Sequence, residues 1–338
     1  VIVTKPLKLW QIINRIICCN ICAFFTSVWN NGGPRNLLNM SLSISSKPAE
    51  ETAFIQAESI DELWIHTGTA CNLACPFCLE GSKPGDNRLQ RPVFNDVMPY
   101  IDSAASIGVD RFSFTGGEPF IVKDFVRILE YAARYKPCLV LTNGTDPTIK
   151  RMESLIPLMD NHHPVHFRVS LDHPGQVKHD ESRGSGSFYK SLHCLRLLIR
   201  IGFGVSVARQ ASVDEDSQLI NKKFSALFYR HGLPDDIPVV SFPDLSRPGT
   251  HPLVPSLTMG CLSRFTEAQI KEKFMCSHTR MLVKQHGKMR IYACTLVDDD
   301  PLFDMGNDMA GTLNKPVYLT HHRCNSCFSH GVSCGKTG

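Results

Sequence analysis

The chain has 338 residues, 43% hydrophobic and 20% charged, which is ordinary for a folded globular protein and enough for one large domain or a large one plus a small one. Its formal net charge of +4 is spread without a long basic run, so nothing demands a nucleic-acid partner. Fourteen cysteines in a chain of this length argue against a small secreted disulfide scaffold and point to metal in a reducing compartment.

The N-terminal segment from Leu9 to Trp29 is largely apolar, follows Lys5 and Lys8, and carries Cys18, Cys19 and Cys22. It reads as a poor signal or anchor segment, because Asn14, Arg15 and Asn20 leave no clean apolar stretch of about 18 residues and hence no membrane span. The chain starts at Val1, and Met40 precedes a Ser-rich stretch, so residues 1–53 are expected to be an extension, with 1–39 an upstream mis-start or a disordered arm. From Asp61 a strand–helix alternation begins. Glu62–Thr67 is a short strand, Val93–Ile107 a helix, Arg111–Phe114 a strand, Val122–Tyr135 an amphipathic helix, Cys138–Leu141 a strand and Thr148–Met159 a helix. Val165–Leu171 is the next strand, then Ser187–Ile201 a helix, Gly204–Ala208 a strand, Leu219–His231 a helix and Ile237–Ser241 a sixth strand. Six βα units in a row predict an α/β fold with a parallel, barrel-like sheet over residues 54–245, whose functional residues belong at the C-terminal ends of the strands.

After the first of these strands comes Cys71-Asn-Leu-Ala-Cys75-Pro-Phe77-Cys78, and no further cysteine follows before Cys138. Three thiolates cannot fill a cubane iron–sulfur cluster, so one iron is left to bind something other than protein. Taken alone, the same three cysteines also suit a partial zinc knuckle or buried thiols. His162, His163, His166, His173 and His179 crowd around the fourth strand, at spacings that suit no standard helix-borne metal site.

With Phe77 before the third cysteine, the C-x3-C-x2-C segment resembles the signature of the radical SAM superfamily. Phe112-Ser-Phe114-Thr115-Gly116-Gly117-Glu118-Pro119 resembles its GGE motif. Leu139–Gly144 and Phe167–Asp172 resemble its third and fourth strands, in family order. The resemblance implies a partial (β/α)6 TIM-like barrel and a [4Fe-4S] cluster held by Cys71, Cys75 and Cys78, whose open iron takes the amino and carboxylate groups of S-adenosylmethionine. It further implies that one electron from the cluster cleaves that molecule and that the resulting 5′-deoxyadenosyl radical abstracts hydrogen from a substrate. On this reading Gly116 and Gly117 allow backbone approach to the methionine part, Glu118 accepts from its ammonium, Ser170 approaches the ribose, Arg209 pairs with the carboxylate, and Phe77 packs on cluster and adenine.

A second constellation lies toward the C-terminus. Cys276 and Cys294 flank Gly287 and a hairpin-like run Lys288–Cys294, and Cys324-Asn-Ser-Cys327 follows. Four thiolates suit either a fully ligated cluster or a structural zinc. The arrangement resembles the twitch and SPASM auxiliary-cluster domains of the superfamily, which gives residues 261–338 as an auxiliary domain after a 246–260 linker and leaves Cys261 and Cys334 without a role. A fully ligated second [4Fe-4S] cluster suits electron transfer, hence net oxidation of a peptide or small molecule, with Asp172 the candidate proton acceptor beside His173. A flavodoxin- or ferredoxin-type reductase and a cytoplasmic location follow, since export would expose an open cluster to oxidant. A molybdopterin-type cyclase is set aside because the chain ends Cys334-Gly-Lys-Thr-Gly338 without a Gly-Gly tail, and a non-catalytic electron carrier or sensor remains the alternative class.

Overall fold

The computed structural model describes residues 51–211, 215–243, 245 and 249–331, so the N-terminal segment through Glu50 and Cys334 lie outside it. Strand β1 (Phe54–Ile55) is followed by β2 (Glu62–His66), β3 (Arg111–Thr115), β4 (Cys138–Thr142), β5 (Val165–Ser170), β6 (Gly204–Gln210) and β7 (Val239–Phe242). From β2 to β7 each strand pairs parallel with the one before it, in chain order. Their connections carry helices α1 (Phe94–Ser106), α2 (Phe125–Ala133), α3 (Asp146–Lys150), α4 (Met152–Leu155), α5 (Gln176–Arg183), α6 (Ser187–Ile201) and α7 (Ser217–Arg230). The fold is therefore the partial (β/α)6 barrel.

Strand periodicity explains why both sides of this sheet are filled and yet differ. On β2, Leu63 and Ile65 face the helices, where they join Phe112, Phe114, Phe167, Val169 and Val207 in one apolar core. The alternate positions point into the barrel and are largely polar: Glu62 accepts from Arg111 Nε at 2.8 Å and from Ser113, while His166 meets Ser206 Oγ at 2.9 Å beside the fully buried Arg168. Burying such groups without partners costs on the order of 1–3 kcal/mol each, so the interior depends on these cross-strand pairs.

The remaining chain forms α8 (Met259–Leu262), α9 (Glu267–Lys273), the hairpin of β8 (Thr279–Gln285) and β9 (Lys288–Tyr292), β10 (Val317–Tyr318) and α10 (His322–His330). The hairpin expected around Gly287 is present, and β8 also pairs parallel with β2, so the barrel sheet runs on into it. Strand β10 pairs antiparallel with β1. A second apolar core, containing Trp64, Leu245, Met281, Val283, Tyr292 and Phe303, fills the space between this C-terminal part and the barrel interior. Among the described residues no helix is long and apolar enough to cross a membrane.

Three boundaries differ from the sequence reading. The helix expected over 148–159 breaks into α3, α4 and a 3₁₀ turn at Ile156–Asp160, because Pro157 lacks the N–H that an α-helix would use. The segment from Val122 gives α2 only from Phe125, after a 3₁₀ turn Pro119–Ile121. Helix α5 lies outside the sequence expectation, since the Pro174-Gly175 pair reads as a plain turn and the helix buries only His179, leaving even Val177 exposed. Phe167 is fully buried between Phe120 and Phe203, with ring centroids 6.4 and 4.9 Å away. Phe167→Ala is expected to cost about 3–5 kcal/mol in urea unfolding of the metal-free protein, the range for emptying an aromatic site in a close-packed core.

Candidate active site at the C-terminal rim of the barrel

The loop leaving β2 first locks to the loop leaving β3. Thr67 N donates to Thr115 O at 2.8 Å, Gly117 N to Gly68 O at 2.9 Å and Glu118 N to Ala70 O at 3.1 Å. The loop then closes on itself through Thr69 N to Leu89 O and Cys71 N to Lys83 O, and Cys78 N to Cys75 O closes a tight turn at 3.1 Å. Cys71 is buried, while Cys75 and Cys78 are half-buried, and all three line one cavity of about 210 Å³ at the strand ends. Burial pushes the Cys71 thiol up to about 12, and Leu73 N at 3.4 Å pulls the other way. Burial likewise raises Cys75, against the pull of Arg183. Thiols held this way become thiolates when a metal replaces the proton, so the trio suits a metal centre better than a free nucleophile.

Gly116 and Gly117 also line the cavity, and here the absence of a side chain is required by packing. A β-carbon on Gly117 would stand 2.1 Å from Ala70 O, and one on Gly116, whose φ is +136°, would stand 2.6 Å from Thr67 Oγ1. Glu118 departs from its expected role as acceptor for a bound ammonium. It is buried and does not face the cavity; its carboxylate accepts from Asn143 N at 2.8 Å, Phe120 N at 3.1 Å and Thr142 Oγ1 at 2.9 Å. Burial raises its pKa while these donors pull it down. The GGE segment thus acts as a tie between the loops after β2, β3 and β4. Asn143, which reads as half of a simple turn, extends the tie: its Nδ2 donates to Asn72 Oδ1 at 3.0 Å and reaches Cys71 Sγ at 3.8 Å.

Ser170, Asp172 and Arg209, from the ends of β5 and β6, reach the same cavity, and so does Phe77. Arg209 is ion-paired with Glu215 and donates to Ser241 Oγ at 3.1 Å, but its buried Nε has no partner. Arg209, as a cation among the residues that line the cavity, suits an anionic group such as an amino-acid carboxylate. Asp172 is not free to act as the expected base, because it forms an ion pair with Arg183 and accepts from Gln210 N at 3.2 Å. Arg183, a residue with no warning in the sequence, lies 5.5 Å from the centroid of Phe77 and exerts its charge on Cys75. Asp172 therefore positions a cation beside the cysteine loop. The five histidines do not converge: His166 serves Ser206, His173 Nδ1 accepts from Gly175 N, and His179 Nδ1 accepts from Asp172 N.

Cys276, Cys294, Cys324 and Cys327 are all buried within the second core, together with Cys261. Cys276 precedes β8, Cys294 follows β9, and Cys324 and Cys327 stand on α10, so the hairpin and a helix bring them together. Cys294 and Cys324 are close enough to Cys276, and Cys294 and Cys327 to Cys324, to raise each other's thiol pKa, although burial is the larger cause. Burial pushes the Cys294 thiol up to about 11. Arg280, fully buried beside Cys276 and Cys294, donates to the carbonyls of Cys276, Thr279 and Thr312, and its Nε is unpartnered. A buried cation among thiols is what a thiolate-bound, negatively charged group would balance.

Two classes of comparison agree with this geometry. A model of the radical SAM superfamily matches residues 65–210, the span from β2 to the end of β6. Among curated relatives, AlbA of Bacillus subtilis (strain 168), an antilisterial bacteriocin subtilosin biosynthesis protein, is 34% identical over 140 residues, 41% of this chain and 30% of that protein. The mycofactocin maturase MftC of Mycolicibacterium smegmatis is 33% identical over 170 residues, 48% of this chain and 40% of the maturase. The chain thus spans less than half the length of these relatives. Streptococcus suis SuiB, solved bound to its precursor peptide SuiA, superposes with a TM-score of 0.59 over 77% of this chain and 66% of SuiB at 13% identity, a likeness of fold. The matched span contains the three-cysteine loop and the GGE segment at the barrel rim. Over residues 65–210 the chain is similar to the radical SAM superfamily.

Glu118→Gln separates the two roles weighed for that carboxylate. As a tie between loops, its loss is expected to lower stability by roughly 1–3 kcal/mol, the cost of leaving a buried donor unpaired, and to lower iron retention, both read by thermal unfolding and iron assay. A protein with unchanged melting but weakened S-adenosylmethionine binding would restore the ligand role.

Proposed function

We propose that the chain is a radical SAM maturase: it holds an open [4Fe-4S] cluster on Cys71, Cys75 and Cys78, cleaves S-adenosylmethionine reductively and abstracts hydrogen from a peptide substrate. The observation that carries this reading is the convergence of Cys71, Cys75, Cys78, Gly116, Gly117, Ser170 and Arg209 on one cavity at the strand ends. A bound cluster would supply the single electron for cleavage to a 5′-deoxyadenosyl radical. The chain's own part is positioning. Arg209 would pair with the methionine carboxylate, the Gly116–Gly117 backbone would lie along the methionine part, Ser170 would approach the ribose and Phe77 would cover the cluster side. A bacteriocin biosynthesis protein and a mycofactocin maturase among the relatives, and a neighbouring fold seen with a precursor peptide bound, support the peptide class of substrate.

Cys276, Cys294, Cys324 and Cys327 would hold a second [4Fe-4S] cluster as electron acceptor for a net oxidation, with the initial electron delivered by a flavodoxin- or ferredoxin-type reductase in the cytoplasm. The buried Arg280 beside Cys276 and Cys294 supports a negatively charged thiolate-bound group there.

Anaerobic reconstitution with iron and sulfide, followed by dithionite and S-adenosylmethionine, is expected to release 5′-deoxyadenosine from the natural chain and none from Cys71→Ala. If no nucleoside appears, the protein is an electron carrier or sensor instead. Iron assay is expected to give about eight irons per chain, two cubanes' worth, whereas four irons with one zinc would remove the second cluster from the scheme.

A further inference from the structure

Two arginines, the fully buried Arg323 and the partly exposed Arg88, join the exit of the three-cysteine loop to the segments around the C-terminal cysteines. Arg323, next to Cys324 on α10, is 1% exposed, and its guanidinium serves three backbone carbonyls from different parts of the chain. Nη2 donates to Leu79 O at 3.2 Å, Nη1 to Leu296 O at 3.0 Å and Nε to Leu245 O at 3.0 Å. Leu79 directly follows Cys78, Leu296 lies two residues past Cys294, and Leu245 stands just beyond β7. Arg88 makes a parallel tie: Nη1 donates to Asp298 Oδ2 at 2.9 Å and Nη2 reaches Glu80 Oε2 at 3.3 Å, while Glu80 also meets His66 Nε2 at 3.1 Å. Segment 79–80 is thereby strapped to segment 296–298 by one guanidinium on each side.

The straps differ in what fixes them. Arg88 is part of the cysteine loop's own return and is partly exposed, so it can follow the loop. Arg323 is rooted in α10, and α10 is where Cys324 and Cys327 stand. A planar fork with fixed N–H directions can satisfy three carbonyls only when its own backbone is held in register, so whatever immobilises Cys324 and Cys327 also sets the position of Leu79. Resting on the function proposed above, we propose that Arg323 is a positioning residue for the S-adenosylmethionine-binding cluster, making the exit geometry of the Cys71–Cys78 loop depend on loading of the C-terminal thiols. The C-terminal site would then gate the competence of the first site mechanically, in addition to any electron it accepts.

The test begins with a chain that can load the C-terminal site alone, Cys71→Ala/Cys75→Ala/Cys78→Ala, compared before and after reconstitution with iron and sulfide. Amide hydrogen exchange read by mass spectrometry is expected to slow about tenfold in peptides covering 79–82 on loading, within the usual range of coupling between linked sites. Unchanged exchange there overturns the proposal, and this arm needs no change to Arg323 itself. In the otherwise natural chain, Arg323→Met with both sites loaded is expected to weaken S-adenosylmethionine binding about tenfold, followed by the change it causes in the electron paramagnetic resonance signal of the reduced cluster. Arg323→Lys should rescue only in part, because one ammonium cannot serve three carbonyls in a fork. Full iron with unchanged affinity in Arg323→Met also overturns the proposal. A natural chain whose reduced cluster ignores S-adenosylmethionine would refute the functional reading, while the exchange arm would still decide the strap.

Discussion

The backbone of Gly117 lies so close to the carbonyl of Ala70 that a single β-carbon would stand 2.1 Å from the oxygen. That contact joins the loop after β2 to the loop after β3, and the buried Glu118 carboxylate joins both to the loop after β4 through Asn143 and Thr142. The three thiols are presented from the top of this joined rim. The long loop over residues 67–93 between β2 and α1 would ordinarily be costly to hold in one shape. Here the backbone bonds of Thr67, Thr69, Cys71, Gly117 and Glu118 hold it with main-chain groups that are indifferent to side-chain chemistry. Cys71, Cys75 and Cys78 are left free for a ligand.

Beneath the rim, the barrel interior is unusually charged. Glu62 with Arg111, Arg168 with Ser206, and His166, held in its neutral form by burial and by the nearby Arg168, leave few apolar side chains pointing inward from β2, β3 and β5. The apolar faces turn outward to the helices instead. Glu62, Arg168 and His166 each have a partner on a neighbouring strand, and such pairs fix strand register more sharply than interchangeable aliphatic packing would.

What the sequence made legible was local. Alternation such as Arg111-Phe-Ser-Phe-Thr115 marks a strand with one apolar face, and the uneven cysteine spacing marks an open cluster, because both signals lie within a few residues. The residues that escaped act at long range: Arg183 onto Asp172, Arg88 onto Asp298 and Arg323 onto Leu79, the last across 244 positions. A lone arginine in a sequence reads as a solvated charge, and only the fold reveals that Arg280 and Arg323 are buried. Glu118 shows the opposite failure. The motif was recognised, but its place in the motif does not say whether the carboxylate faces the ligand or the protein, and burial decides for the protein.

Strand β8 occupies the outer edge of β2, residue for residue from Thr279 beside Glu62 to Leu282 beside Ile65. A sheet edge left bare presents a row of unpaired amides and carbonyls and invites pairing with a foreign strand. The hairpin that carries the way between Cys276 and Cys294 is therefore also the selvedge of the barrel. Cutting the chain before it would leave β2, the very strand that launches the cysteine loop, open to self-association. In this protein the C-terminal part is not an accessory that can be exchanged like a cartridge; its removal would fray the fabric to which the first site is sewn.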